Sequence, residues 1–185
     1  MSTTRIPTTA LIVAAAVALS LSGCVVTQSK YNTMLQQQQA LEASLRQEIS
    51  ADQVKIEQLE NGIRVRMSSD LLYPSGDVNL NPQGRAALDK IAGQLANMAA
   101  QNNEIDVVGN TDNVPIGPEL AFKYPTNWEL AGARAAIVVR YIQNGGVDPT
   151  ALRAISAGQY HPVASNDTPQ GRAQNRRTDL LIRPR

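Results

Sequence analysis

Asp112 and Arg134 are the residues whose types and placing carry chemistry. On a helix turning 100° per residue, Leu130, Ile137, Val138 and Tyr141 share one stripe with Ala131 and Ile142. Arg134 falls in the middle of that stripe, and Asn127 lies on the same side two turns earlier. Glu129 and Arg140 belong to the opposite, solvated face. A guanidinium among core-facing positions is costly unless it is paired, and its planar fork matches a carboxylate. Asp112, in Gly109-Asn110-Thr111-Asp112-Asn113, stands where a strand pattern gives way to a loop, a common location for a binding residue. Spacing alone leaves two readings open. One is an internal Asp112–Arg134 ion pair that organises the fold; the other is a pair of opposite charges that a ligand engages.

The elements that must position these residues are legible around them. Thr126-Asn127-Trp128-Glu129 fits a capping box, and the helix it opens runs to Asn144 and stops at Gly145-Gly146. Ile63, Val65 and Met67 alternate with polar residues, as in a half-buried strand. Asn81-Pro82 reads as an N-cap with proline at the first helical position, and Leu88, Ile91, Leu95 and Met98 continue at helical spacing. Glu104–Gly109, Leu152–Ala157 and Arg177–Arg183 read as further strands, with a short helical stretch at Gln170–Gln174. This βαβαβ(α)β order over residues 63–185 predicts an α+β domain, one mixed sheet packed by two main helices.

Upstream, residues 24–62 read as a helical stalk. From Gln28 to Gly62 there is no proline, and Gly62 is the one glycine. Met34, Gln38, Leu41, Leu45, Ile49, Asp52, Ile56, Leu59 and Ile63 form a thin stripe at spacings of three and four. A stripe interrupted by Gln38 and Asp52 fits a coiled coil, a helix lying on a protein partner, or a solvated spacer better than a core helix. Fully helical, the 36 residues from Gln28 would reach about 54 Å.

Residues 1–23 read as an export signal: Arg5, an apolar run from Ala10 to Leu21, then Ser22-Gly23. The run is too short for a bilayer, which takes roughly 20 apolar residues. Leu21-Ser22-Gly23-Cys24 resembles the bacterial lipobox. That resemblance implies cleavage before Cys24, a diacylglycerol on its sulfur and an acyl chain on its new amino group. Two or three chains anchor stably where one does not. Val25 stands where an Asp often retains lipoproteins in the inner membrane, which favours the outer membrane.

Composition narrows the chemistry further. The 185 residues carry a formal charge of +1, so no strongly charged partner such as nucleic acid is implied. Cys24 is the one cysteine and His161 the one histidine. No metal site, no cofactor and no enzyme is expected, since a wall hydrolase would need a His/Cys or metal-ligand cluster. Of the seven aromatic residues, Phe122, Tyr124 and Trp128 lie in or beside the segment Val114–Pro125. Contact with glycan or a partner, or packing of that loop onto the core, are its two readings. Arg172, Arg176 and Arg177 form a basic cluster read as surface or structural, and His161 as an exposed loop residue.

Residues 64–185 resemble the OmpA-like peptidoglycan-binding domain, especially the branch shared with the flagellar motor protein MotB. The resemblance is carried by Tyr73-Pro74-Ser75-Gly76, Gly109-Asn110-Thr111-Asp112 and Asn127-Trp128-Glu129-Leu130-Ala131-Gly132-Ala133-Arg134-Ala135. Ala157-Gly158-Gln159-Tyr160 and Gly171-Arg172-Ala173-Gln174-Asn175-Arg176-Arg177 extend it. It implies that Asp112 and Arg134 grip the diamino acid of a peptidoglycan stem peptide, usually meso-diaminopimelate. Asn127 would support them and Leu130 would line the pocket. Asn110 replaces a frequent histidine and Ala131 a frequent serine, which alters neighbours of the charge pair and not the pair itself. The expectation is a non-catalytic lipoprotein tethering the outer membrane to the wall, its domain in the periplasm. The alternative is a wall-anchored adaptor of a secretion or motility assembly, with residues 28–62 as the interface. A MotB-like stator is disfavoured, because it needs a membrane-spanning helix with an acidic residue.

Overall fold

The computed structural model describes residues 28–185; the expected signal segment and Cys24 lie outside the described residues. Residues 28–36 are helical. Residues 37–185 form a separate compact unit. It begins with α1 (residues 37–44), α2 (Arg46–Ser50), β1 (Val54–Leu59), β2 (Gly62–Ser68) and α3 (Ser69–Leu72). It continues with α4 (Pro82–Ala100), β3 (Asn103–Asn110), α5 (Pro118–Ala121) and α6 (Asn127–Asn144). A 3-10 turn at Pro149–Ala151 leads into β4 (Leu152–Gly158), α7 (Pro169–Asn175) and β5 (Arg177–Pro184).

The strands form one mixed sheet in the order β1-β2-β5-β3-β4. The first three junctions are antiparallel, and β3 pairs with β4 in parallel. The four strands and three helices read from residues 63–185 are all present, with two main helices, α4 and α6, against the sheet.

The helix expected to continue to residue 62 instead ends at Ser50. Asp52 takes a left-handed φ of 57°, its N–H donates to the Ile49 carbonyl, and the Gln53 N–H donates to the Glu48 carbonyl. This is a Schellman termination with aspartate in the place usually held by glycine. Beyond it, residues 54–59 form β1, antiparallel to β2 through a two-residue turn at Glu60-Asn61. β-branched Val54 and Ile56 at alternate positions fit a strand better than a helix. Nor does the apolar stripe face outward throughout. Leu41 and Leu45 are fully buried in the compact unit, where Gln94 donates to the Ser44 hydroxyl at 2.8 Å and Lys90 to Glu48 at 2.5 Å. Each buried leucine contributes about 1.5–3 kcal/mol by removal from water.

One face of the sheet forms the core. Ile63, Val65, Met67, Ile105, Val107, Leu180 and Ile182 meet Leu88, Ile91 and Leu95 of α4 and Val138 and Ile142 of α6, all essentially without solvent contact. The other face carries alternating charges, as expected of an antiparallel sheet solvated on one side. Arg66 and Arg177 pair with Asp179, and Arg153 and Arg183 with Asp106. Gly109 fixes how closely α6 approaches β3. A Cβ there would lie 2.1 Å from the Ala131 carbonyl oxygen, so only glycine admits the helix at this distance.

Candidate ligand-binding site

α6 starts where the capping box places it. Thr126 accepts from the Trp128 N–H at 3.2 Å, and Glu129 accepts from the Thr126 N–H at 2.9 Å. Those bonds hold the Glu129 carboxyl below its ordinary range, the side-chain bond to Thr126 most strongly. With its start fixed, α6 presents Asn127, Leu130, Ala131 and Arg134 as buried residues on one face.

Asn127 ties that helix to the end of β3. Its amide nitrogen lies 3.3 Å from the Asp112 carbonyl, 3.1 Å from the Val114 carbonyl and 2.7 Å from the Gln159 side-chain oxygen. Asp112 is buried, and its carboxylate accepts from the Val114 N–H at 3.1 Å and from Arg176 at 2.9 Å. Leu130 is buried one turn along α6.

Arg134 points elsewhere than expected from an internal ion pair. Its Nε and Nη2 both donate to the Asp77 carbonyl, at 3.1 and 2.9 Å. Its guanidinium stacks over the Tyr73 ring at 4.9 Å, a cation–π contact. No carboxylate lies within ion-pair distance of it among the described residues. Burial holds the Arg134 pKa below its ordinary value, partly countered by Tyr73, and the like charge of Arg176 pushes the same way as burial. Asp112 and Asp77 oppose the shift, which places Arg134, Arg176 and Asp112 within one another's fields.

Hydrogen bonds hold the two ends of this arrangement. The Asp77 carboxylate is engaged by its own loop, accepting from the Asn79 and Val78 N–H groups. Those bonds lower its pKa and leave its carbonyl aimed at Arg134. Tyr73 is buried, donates its hydroxyl to the Arg134 carbonyl at 3.1 Å and lies 3.3 Å from the Thr178 hydroxyl. Burial pushes its pKa up to about 12.

Sequence reasoning missed Arg176. The expected basic cluster is divided among three tasks. Arg172 donates to the Asn166 carbonyl, Arg177 is buried against Asp179, and Arg176 holds Asp112. Tyr73, Asp77 and Gln159 were also missed as site residues. The loop Val114–Pro125 contains the short α5, which was not expected, and Phe122 is 99% exposed, so it does not pack onto the core. His161 is exposed, as expected, with its carbonyl accepting from Arg177. An open depression of about 620 Å³ lies apart from these residues, lined by Glu42, Arg46, Ile49 and Ile56.

Among the described residues, no group of three or more His, Cys, Asp or Glu side chains could hold a metal ion. No described helix is long and apolar enough to cross a membrane. Asp112, Arg176 and Arg134 thus place one carboxylate and two guanidinium groups near one another, the first two joined as an ion pair.

Comparison with known proteins follows the same lines. The chain is 35% identical over 132 residues to outer membrane protein A of Bordetella avium, covering 71% of this chain and 63% of that protein. It is 34% identical over 140 residues to motility protein B of Bacillus subtilis, covering 71% of this chain and 52% of that one. The matches thus span about half to two thirds of the length of these curated relatives. The solved structure of the cell wall anchor of the T6SS from Pseudomonas aeruginosa superposes with a TM-score of 0.70 at 28% identity, covering 78% of this chain and 97% of that one. The model of the OmpA family matches residues 72–176, from the turn that carries Tyr73 to the arginine that holds Asp112, and the chain belongs to the OmpA family.

Proposed function

We propose that this chain is a non-catalytic lipoprotein whose folded unit binds peptidoglycan by the diamino acid of its stem peptide, meso-diaminopimelate in the commonest wall chemistry. The observation that carries this reading is the Arg134 guanidinium, buried on a carbonyl and an aromatic face with no carboxylate partner among the described residues. Such a cation is completed by an anionic ligand. The free end of diaminopimelate carries an ammonium and a carboxylate on one carbon. Arg134 takes the carboxylate with Arg176 beside it, and Asp112 takes the ammonium. Asn127 holds the Asp112 loop in place, and Leu130 supplies an apolar wall. Two opposite charges at fixed separation select a zwitterion over a simple anion or cation.

Lipid on Cys24 would place the protein on the periplasmic face of the outer membrane and make it a non-covalent tether between membrane and wall. Many membrane-held copies acting together need only modest affinity each. The likeness to the T6SS cell wall anchor favours a second reading, in which the same wall grip positions an envelope assembly and residues 28–36 contact a protein partner.

Co-sedimentation with isolated sacculi tests the grip. The wild-type protein is expected to pellet, and folded Asp112→Ala and Arg134→Ala variants to stay in solution. A folded wild type that stays in solution overturns the proposal. Radiolabelled palmitate incorporation, abolished by Cys24→Ala, tests the anchor, and pull-down of a stable partner by residues 28–36 would favour the adaptor reading.

A further inference from the structure

We propose that Asp70 is a positioning residue for the ligand's ammonium: it takes up Arg176 when that ammonium shares the Asp112 carboxylate. The proposal rests on the wall-binding reading above. It accounts for how a carboxylate already engaged inside the fold accepts a second cation.

Both oxygens of Asp112 are occupied. One accepts from the Val114 N–H at 3.1 Å, the other from Nη1 of Arg176 at 2.9 Å. An ammonium that reaches this carboxylate therefore meets the Arg176 guanidinium, and Arg134 stands within the field of both Arg176 and Asp112. Cations crowded where water is partly excluded repel one another strongly. Reading an ammonium here needs a second anion that can draw Arg176 off.

Asp70 supplies that anion. Its carboxylate lies 3.9 Å from Nη2 of Arg176, the terminal nitrogen that Asp112 does not use. That is an ion contact but too long for a hydrogen bond, and the Asp70 carboxylate has no other charged partner among the described residues. The Asp70 side chain is 77% exposed and that of Asp112 10% exposed. Arg176 thus stands between a buried carboxylate that holds it and a solvated one that does not yet.

The backbone keeps Asp70 and Arg176 side by side whatever their side chains do. The Ser69 N–H donates to the Arg176 carbonyl at 2.9 Å, and the Arg176 N–H donates to the Arg172 carbonyl at 3.0 Å. Ser68 pairs with Arg177 across β2 and β5, and its hydroxyl accepts from the Leu71 N–H at 3.2 Å, which fixes the start of α3. Only side-chain rotation is then needed. Moving the guanidinium about 1 Å toward Asp70 makes the outer contact a charge-assisted hydrogen bond and loosens Nη1 from Asp112. The freed lone pair goes to the ligand's ammonium, and the ion count around Arg176 is unchanged.

The test titrates the whole protein by calorimetry with two probes that differ in one group. One is a stem tripeptide ending in meso-diaminopimelate. The other ends in 2-aminopimelate, which keeps the distal carboxylate and lacks the distal ammonium. Wild type is expected to bind the first more tightly. Asp70→Asn changes an exposed side chain and should melt with wild type. It is expected to weaken the diaminopimelate probe about fivefold and to leave the 2-aminopimelate probe unchanged, with Asp70→Glu restoring the difference. In an Arg176→Gln background, Asp70→Asn should change neither affinity. Equal loss for both probes, or loss for neither, overturns the role of Asp70 and leaves the wall-binding site standing. Equal binding of the two probes by wild type overturns it as well, since no ammonium is then read. A wild type that binds neither probe overturns the site and the role of Asp70 together.

Discussion

Asp112 and Arg176 close the site with an ion pair of 2.9 Å between residues 64 positions apart. Asp112 does not pair with Arg134, although the helical stripe placed that arginine on the right face. The consequence is a division of labour. Arg176 neutralises the buried aspartate from the end of α7, and Arg134 rests on the Asp77 carbonyl and the Tyr73 ring. Both cations act on one another through space, and the carboxylates of Asp112 and Asp77 oppose that repulsion at Arg134.

A double-mutant cycle separates these roles. Asp112→Asn with Arg176→Gln is expected to show a coupling of about 1 kcal/mol in urea unfolding, typical of a partly exposed pair. Asp112→Asn with Arg134→Gln should be additive within about 0.5 kcal/mol. Coupling of comparable size in both cycles would mean that the two arginines share Asp112 in solution.

Leu41 provides a test of where the folded unit begins. Its side chain is fully buried, so Leu41→Ala should cost about 2–5 kcal/mol in unfolding free energy. A solvated spacer helix would give a change within about 0.5 kcal/mol. Chemical denaturation of the two proteins side by side decides between them.

How much of this was readable from the sequence varies with the range of the interaction. Local signals were reliable: the Thr126–Glu129 capping box, the Asn81-Pro82 helix start, and the alternation in residues 63–68 all describe bonds between near neighbours. The strand at Val54–Leu59 was not read, because the thin apolar stripe matched a helical period. The competing signals, Asp52 and β-branched Val54 and Ile56, mattered only once β2 supplied a hydrogen-bonding edge. At the site, the apolar surroundings of Arg134 revealed that it was unusual, but not that Asp77 offers a backbone carbonyl across 57 residues. Arg176 and Arg177 look alike in sequence. Strand β5 begins between them, which sends Arg177 to the sheet face beside Asp179 and Arg176 to Asp112.

Gly109 is expected to tolerate nothing larger. A methyl group at 2.1 Å from the Ala131 carbonyl must push α6 away from β3, and Gly109→Ala should destabilise the fold by about 1–3 kcal/mol. Because α6 carries Asn127 and Arg134, sacculus binding should fall even at temperatures where the variant is folded. Gly93, where a Cβ meets open space, serves as the control, and Gly93→Ala should be neutral or slightly stabilising in its helix.

The acid limb of stability should respond to the α6 cap. The Glu129 pKa is lowered by its bonds to Thr126. A carboxyl whose folded pKa lies below its unfolded one contributes stability above the unfolded value, near 4.5, and loses it as pH falls through the folded value. Glu129→Gln removes that titration, so its melting temperature should fall less steeply than that of wild type below pH 4.5. Thr126→Ala should lower stability at neutral pH by about 1 kcal/mol through loss of the helix cap. Parallel thermal melts across pH 2.5–6 read both effects.

Tyr73 sets the corresponding alkaline limit, with the opposite sign. Burial raises its pKa from 10.0 to about 12. An acid whose folded pKa is raised binds its proton more tightly in the folded state. Its stabilising effect is therefore complete below pH 10 and is lost as pH rises from 10 through 12. Tyr73→Phe removes the titrating group and also the hydroxyl bond to the Arg134 carbonyl, a loss of about 1 kcal/mol at neutral pH. The variant should thus start less stable than wild type and lose less between pH 10 and 12, so that the two unfolding curves converge. The phenyl ring still lies under the Arg134 guanidinium, so sacculus binding at neutral pH should persist. A variant that lost binding while remaining folded would show that the Tyr73 hydroxyl, and not only its ring, fixes the position of Arg134.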